Sequence, residues 1–289
     1  MTHLLCFGLG YSALRLARIG FAQGWTVSGT ARTLQGAEKI AKEGFYPIIF
    51  DGRGPGPGIG EALASATHVL ISTPPGQDGD PVLRHHADDL QAVSSLAWIG
   101  YLSTVGVYGD RQGGWVDEMS QTRPTSERSR RRLAAEDAWR AFGQQTNRNV
   151  QIFRLSGIYG PGRSAIERLQ DGTARRIVKL GQVFNRIHVD DIATSLAAAI
   201  AGKGSHQVYN VTDDEPAPPQ DVISFAAELL RMPPPPEIPF NEAELSPMAA
   251  SFYADNKRVA NARLREDLGV HLKFPSYREG LRAIAALKP

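Results

Sequence analysis

Short apolar runs alternate along this chain with segments in which apolar residues recur at helical spacing. The first run, Leu4 to Phe7, predicts a buried strand, and Leu14, Leu16, Ala17 and Ile19 predict a helix behind it. Trp25 to Gly29 predicts a second strand and Leu34 to Lys42 a second helix. Tyr46 to Phe50 reads as a third strand closed by Asp51, and the Gly- and Pro-rich segment Gly52 to Gly60 as a loop. His68 to Ser72 predicts a fourth strand, Pro81 to Leu96 a helix and Trp98 to Ser103 a fifth strand. A charged amphipathic helix is expected over Glu127 to Gln145 and a sixth strand over Val150 to Leu155.

Strands alternating with helices imply parallel pairing through right-handed crossovers. The expected fold class is therefore α/β, a Rossmann-type doubly wound parallel sheet with a smaller C-terminal substrate lobe. Residues 1–160 would form the larger, sheet-bearing part, with residues 206–212 returning to the same sheet. Beyond Pro161 the alternation loosens; Pro233 to Pro236 are extended, and helical spacing resumes at Asn256 to Leu268 and Tyr277 to Leu287. Residues 161–289 are read as mainly the smaller lobe, closing over the carboxyl ends of the strands, where ligands sit in open α/β sheets.

The join between the first strand and helix carries the first chemistry. Gly8, Gly10 and Ala13 fit the Gly-x-Gly-x-x-Ala dinucleotide pattern, with Tyr11 and Ser12 inside it. The first glycine permits a tight turn, the second lets a pyrophosphate approach the backbone, and Ala13 lets helix and strand pack closely. The start of the helix would offer free N–H groups to phosphate. Glycine-rich turns also arise for structural reasons alone; the strand before and the helix after favour a nucleotide here.

The end of the second strand decides between the two nicotinamide dinucleotides. An acidic residue there would bond the ribose hydroxyls of NAD; here the chain reads Ser28-Gly29-Thr30-Ala31-Arg32-Thr33. No carboxylate is present, and Arg32 offers a planar donor fork suited to the extra phosphate of NADP, so NADP is expected over NAD. Asp51 is a candidate acceptor for the adenine amino group or, equally, a turn or helix-cap residue. Thr73 and Pro74, in Thr73-Pro74-Pro75-Gly76, either line the adenine or ribose pocket or form a rigid turn.

Composition narrows the classes. The chain has 289 residues and a formal net charge of +2, too small to argue for nucleic acid or a membrane surface. Its length allows one large core or two unequal lobes. The single cysteine, Cys6, cannot form an internal disulfide and reads as a small buried side chain, which suggests a reducing, cytoplasmic setting. No signal peptide, membrane-spanning run, internal repeat or phosphate loop of the Gly-Lys-Ser/Thr kind is seen. His85, His86, Asp88 and Asp89 share a helix without metal-ligand spacing, so no metal is expected.

Further motifs carry a resemblance. Tyr101-Leu102-Ser103-Thr104-Val105-Gly106-Val107-Tyr108-Gly109 resembles the Ser-Ser/Thr-x-x-Val-Tyr-Gly segment of the extended short-chain dehydrogenase/reductases, the NAD(P)-dependent epimerases and dehydratases of sugar nucleotides. Arg154 to Gly162 resembles their Arg-x-x-x-x-Tyr-Gly-Pro-Gly turn, Arg186 to Ala193 their Arg-Ile-His-Val-Asp-Asp segment, and Tyr209-Asn210-Val211 their Tyr-Asn-Val strand. The resemblance covers almost the whole chain, with four motifs in the right order. It implies an oxidoreductase or epimerase whose Ser/Thr orients the substrate oxygen, whose Tyr exchanges the proton, and whose Lys holds the nicotinamide ribose. Thr104 falls at the Ser/Thr position. Tyr159, Arg186 and His188 are the implied substrate residues, and the implied partner is a small molecule such as a sugar nucleotide, bound by a monomer or homodimer.

Two departures stand out. Arg128 occupies the Tyr position and Arg132 the Lys position, on one helical face. Arg132 could still hold a ribose hydroxyl or a phosphate. Arg128 cannot exchange a proton near neutral pH, because its pKa exceeds ~12, and losing a placed acid or base forfeits ~10²–10⁴ in rate. For the run Arg128 to Arg132, a solvated basic helix and an anion-binding role are equally open readings. Val105 and Gly106 stand where the sugar dehydratases carry Asp-Glu, which argues against dehydration by that route. The expected activity is thus an oxidoreductase or epimerase with a non-standard site; the alternative is a catalytically inactive NADP-binding regulatory or sensor protein. Tyr108, Tyr159 and His188 could replace the missing acid, although packing in the turn after the strand is the plainer reading of Tyr108 and a structural hydrogen bond at a helix start that of His188.

Overall fold

The computed structural model describes residues 1–287. The first half of the chain contains β1 (His3–Phe7), α1 (Tyr11–Ala22), β2 (Thr26–Ala31), α2 (Leu34–Lys42), β3 (Tyr46–Ile49), α3 (Ile59–Ser65), β4 (His68–Ile71), α4 (Pro81–Ala92), β5 (Trp98–Thr104), β6 (Trp115–Val116) and α5 (Glu127–Thr146). It continues with β7 (Val150–Leu155), β8 (Gly157–Tyr159), α6 (Ala165–Gln170), β9 (Arg176–Val178), β10 (Arg186–His188), α7 (Val189–Ile200) and β11 (Val208–Val211). The last elements are α8 (Pro219–Leu229), β12 (Glu237–Pro239), α9 (Pro247–Ala254), β13 (Arg258–Val259), α10 (Ala262–Glu266) and α11 (Tyr277–Ala286).

Seven strands form one sheet in the order β3-β2-β1-β4-β5-β7-β11, and every pairing is parallel. This is the expected doubly wound α/β sheet, with the late strand β11 alongside β7. The central strands are apolar on both sides because both faces are covered: β1 is buried from Leu4 to Phe7, and β7 throughout. One face packs Leu4, Cys6, Leu70 and Phe153 against α1 and α7. The other packs Leu5, Phe7, Ile71 and Ile152 against side chains of α3, α4 and α5. Cys6 is a free, buried thiol in this core, and burial pushes its pKa up. A separate apolar cluster joins α6, α8 and α11 through Ile166, Ile223, Ala226, Leu281 and Ile284.

Local chemistry sets several boundaries. Asp80 caps α4 through Val82 N–H and Leu83 N–H, with Pro81 in the first turn. The helix is interrupted at His86, whose backbone is non-helical, and it stops at Ala92 rather than Leu96. Ser126 caps α5, and Asn147 closes it in the left-handed conformation. Residues 256–261 are not helical, contrary to their spacing. Arg258 N–H and Ala260 N–H instead bond the carbonyls of Gly114 and Val116, which holds Arg258–Val259 as a strand beside Trp115–Val116. Among the described residues no helix is long and apolar enough to cross a membrane, and no group of three or more His, Cys, Asp or Glu is placed to hold a metal.

Candidate functional site

The strand order reverses between β1 and β4, and the turn after β1 lies at that reversal. Gly8 has φ +83°, open to glycine at little cost, and a Cβ there would lie 3.1 Å from the Thr73 side chain. Thr30 shapes the turn from β2: its hydroxyl accepts from Gly8 N–H at 2.8 Å, and its carbonyl accepts from Leu9 N–H at 3.0 Å. Gly10 then starts α1 with no side-chain cap, and no carboxylate stands in the first turn. A Cβ on Gly10 would meet nothing within 4 Å. The helix therefore presents uncapped amides and partial positive charge to open space, a setting suited to phosphate. Close by, the Thr73 Oγ1 is buried without a hydrogen-bond partner. The residues present fit a dinucleotide diphosphate: an open glycine cradle, free amides and an orphaned polar atom at the switch point.

Arg32 follows β2, is exposed, and has no hydrogen-bond or carboxylate partner among the described residues. Asp51 is engaged in a turn, accepting from Arg53 N–H at 2.9 Å, with the Arg53 guanidinium 3.8 Å away. Ala13 is fully buried against the sheet, as close helix–strand packing requires. Tyr11 donates from its hydroxyl to the Pro161 carbonyl at 3.0 Å, tying the start of α1 to the turn after β8.

A cleft of about 1090 Å³ opens beyond the carboxyl ends of the strands. It runs from Ser12 and Ser72 past Thr104, Gly106, Arg128 and Arg132 to Tyr159, Arg186 and Lys257. Seven Arg and Lys side chains line it against four carboxylates, so its field favours an anionic ligand. Thr104 caps the short helical turn Val105–Tyr108, its hydroxyl oxygen accepting from Gly106 N–H at 3.1 Å and keeping its proton to donate. Arg132 is anchored: Nη1 donates to the Leu102 carbonyl at 2.8 Å and to the Tyr101 hydroxyl at 3.2 Å. Arg128 is exposed, one turn away on the same helix.

On the far wall, Arg186 Nη1 donates to the carbonyls of Phe184 (2.9 Å) and Ala217 (3.1 Å). Those bonds fix one arm of the guanidinium and leave its other donors for the cleft. Burial pulls the Arg186 pKa down, which the nearby Asp213 opposes. Tyr159 is buried, donates to the Ser276 carbonyl at 3.2 Å, and has its pKa pushed up by burial. His188 is buried and caps α7, its Nδ1 accepting from Asp190 N–H at 3.2 Å, with its ring packed edge-on against Tyr159. Its protonation is disfavoured by burial. Tyr159 and Arg186 thus border the cleft, and His188 sits behind them. Tyr108 is also buried, donating to Asn210 and accepting from Arg154.

Three positions were not singled out from the sequence. Thr30 looked like an ordinary strand residue, because its bond to Gly8 depends on strand pairing. Glu136 is fully buried and holds Ser103, Arg154 and Arg140, bracing the end of β5 beneath the cleft. Lys257 lines the cleft with its ammonium 3.3 Å from Asp255, and burial lowers its pKa. Its signal was hidden because the expected helix over Asn256 to Leu268 gave it no special place.

Comparisons with known proteins agree with this geometry. The model of the NAD dependent epimerase/dehydratase family matches residues 93–212. The solved structure of a functionally unknown conserved protein from Silicibacter pomeroyi DSS is 49% identical, with 99% of each chain covered and a TM-score of 0.90. That of a putative NAD-dependent epimerase/dehydratase from Methylobacillus flagellatus is 27% identical over 99% of this chain and 98% of that one, with a TM-score of 0.74. A 3-diazoavenalumate denitrifying reductase of a Streptomyces species is 32% identical over 143 residues, 45% of this chain and 45% of that protein, so the match spans less than half of that relative's length. The parallel sheet and the glycine turn agree with these similarities, which make the chain similar to the NAD-dependent epimerase/dehydratase family over its central part.

Proposed function

We propose that this protein is an NADP-dependent oxidoreductase or epimerase with a non-standard active site, acting on a sugar nucleotide or similar polyol. The observation that carries the reading is the open, uncapped start of α1 beside Gly10, which leads through Ser12 into the basic cleft. Gly8, Gly10, Tyr11, Ser12 and Ala13 would hold the diphosphate, and Thr73 and Pro74 the neighbouring ribose or adenine. Arg32 would pair with the extra phosphate of NADP. Bound there, the nicotinamide would supply or accept a hydride at the substrate carbon. Thr104 would donate a hydrogen bond to the reacting oxygen and fix its position. Arg186 would bind substrate anion from the far wall, with Tyr159 shaping that wall. Arg128 and Arg132 hold charge rather than move protons, so the proton would pass through water or the substrate itself. The buried thiol of Cys6 suits a reducing compartment, and we infer a cytoplasmic monomer or homodimer.

The test is calorimetric titration of NADP and NAD against wild type and Arg32→Ala. NADP should bind more tightly to wild type, and Arg32→Ala should lose about tenfold for NADP with NAD unchanged, the worth of one charge-assisted contact. Equal NADP affinity in the two proteins would remove the role of Arg32, and no binding of either dinucleotide would reject the function.

A second reading follows from Arg128 and Arg132 standing where a proton carrier and a ribose-holding Lys are implied. On it, NADP occupancy biases the cleft or a partner surface without turnover. Hydride exchange at the bound cofactor across a panel of sugar nucleotides separates the two; complete inertness with tight NADP binding would favour the sensor.

A further inference from the structure

The basic run at the start of α5 is not uniform. Arg130 and Arg131 both pair with Glu127, at 3.2 and 2.9 Å. Arg132 is tethered to the Leu102 carbonyl and the Tyr101 hydroxyl. Arg128 has no hydrogen bond and no carboxylate partner among the described residues. It borders the main cleft together with Thr104 and Gly106. It also borders a side pocket of about 150 Å³, lined by Pro74, Pro75, Glu127, Arg128, Arg131 and Arg132. The one carboxylate in that pocket, Glu127, is already shared between two arginines. At roughly 30 Å³ of liquid volume per water, the pocket has room for about five waters, enough for a carboxylate or phosphate group.

These features select a ligand chemistry. A guanidinium carries five donors and no acceptor, stays charged at any working pH, and matches two oxygens of one anion. An unpaired fork between Thr104 and a small basic pocket would be poorly matched by a neutral sugar hydroxyl, which offers one acceptor and no charge. We propose that Arg128 is a specificity-determining residue: the side pocket takes an anionic oxygen group carried by the substrate near its reacting carbon, and Arg128 holds that group. The inference rests on the function proposed above, whose Thr104 end of the cleft it completes. The two prolines make the opposite wall stiff, so the pocket is preformed for the anion rather than shaped around it.

The test uses the full chain and probes that differ by one group. UDP-glucuronate and UDP-glucose are titrated into the NADPH-loaded protein and followed by the emission of bound NADPH. Wild type should prefer the uronate by about tenfold, the range of one charge-assisted contact. Arg128→Ala should bring the ratio to about one with NADPH affinity unchanged, and Arg128→Lys should keep part of it, since Lys retains the charge but not the fork. Arg128 is exposed and makes no hydrogen bond or ion pair among the described residues, so the variants should fold as wild type.

In a second arm, acetate and inorganic phosphate are titrated calorimetrically with and without NADPH. Saturable binding of either that disappears in Arg128→Ala supports the site, and the tighter of the two names the group. A uronate preference unchanged in Arg128→Ala, or wild type that binds neither bare anion and shows no uronate preference, overturns the proposal. Absence of NADPH binding would fail the parent reading instead, while the anion titrations of the free chain would still decide the role of Arg128.

Discussion

The hydroxyl of Thr30, on β2, accepts a hydrogen bond from the Gly8 amide at 2.8 Å. That contact, with Leu9 N–H on the Thr30 carbonyl, makes the neighbouring strand the template for the turn that opens α1. Thr30 is buried and the bond is part-buried, so water can replace it only incompletely. Thr30→Val keeps the volume and removes the acceptor, leaving the Gly8 amide unsatisfied at a cost of about 1–3 kcal/mol. The expected outcome is that loss in urea unfolding, together with several-fold weaker dinucleotide binding, while Thr30→Ser stays near wild type. Unchanged stability in Thr30→Val would show that the turn holds its shape without β2.

Glu136 makes a different kind of prediction, because it is a charge with no exposure at all. Its carboxylate receives Arg154 Nη2 at 2.7 Å, Arg140 Nη2 at 2.7 Å and the Ser103 hydroxyl at 2.5 Å. The Arg154 guanidinium in turn donates to the Tyr108 hydroxyl, which donates to Asn210 on β11. The network therefore ties α5 to β5, β7 and β11. Glu136→Ala would leave Arg154 buried without its carboxylate, and removing one partner of a buried pair costs about 3–5 kcal/mol. Glu136→Gln should cost less, since the amide oxygen can still accept from one arginine. Chemical denaturation measures both; an Ala variant within about 1 kcal/mol of wild type would mean that water replaces the carboxylate.

Gly109 ends the Val-Tyr-Gly turn at φ +68°, and a Cβ there would lie 1.8 Å from the Arg123 carbonyl oxygen. The clash is with backbone, so no side chain can swing aside. Gly109→Ala combines a left-handed residue with that overlap and should cost more than the ~1 kcal/mol of the conformation alone. The loop from Arg123 to Ser126 would shift, and α5 begins just after it. Protease nicking in the 110–126 segment, faster in the variant than in wild type, is the readout.

Much of the fold was legible in the sequence because its strands are buried on both faces and so appear as unbroken apolar runs. The bounds of α2 and β7 match the apolar pattern residue for residue, and β11 does return to the sheet. The Gly8–Gly10 turn was legible for a related reason: its residue types are dictated by backbone conformation. What stayed hidden depends on contacts between distant segments. The Arg258–Val259 strand exists because a loop near residue 114 offers its carbonyls, which periodicity cannot report. Lys257 reaches the cleft only through that strand. Arg130, Arg131, Arg132 and Arg128 look alike as a basic run, and only their contacts separate three engaged side chains from one without a polar partner among the described residues.

His188 carries the prediction about pH. It is buried, and its Nδ1 accepts from the Asp190 amide, so the neutral ring keeps its proton on Nε2. Burial lowers its pKa to about 4, with Asp190 opposing the shift and Arg15 and Lys273 adding to it. In the unfolded chain the same ring would titrate near 6.5. Between those values the unfolded state binds the extra proton, so the contribution of His188 to stability is complete above about pH 6.5 and is lost as pH falls toward about 4. His188→Asn should keep the cap, because an amide oxygen can accept from Asp190 N–H, and should remove the titration. Asp191 and Asp213 have folded pKa values raised by burial, and the slopes they give run the other way in both proteins. The difference between wild type and variant then isolates the histidine. Urea unfolding at intervals from pH 7 to pH 4 should show wild type losing stability relative to His188→Asn as the solution is acidified. Parallel curves would mean that the ring is already solvated in the folded protein.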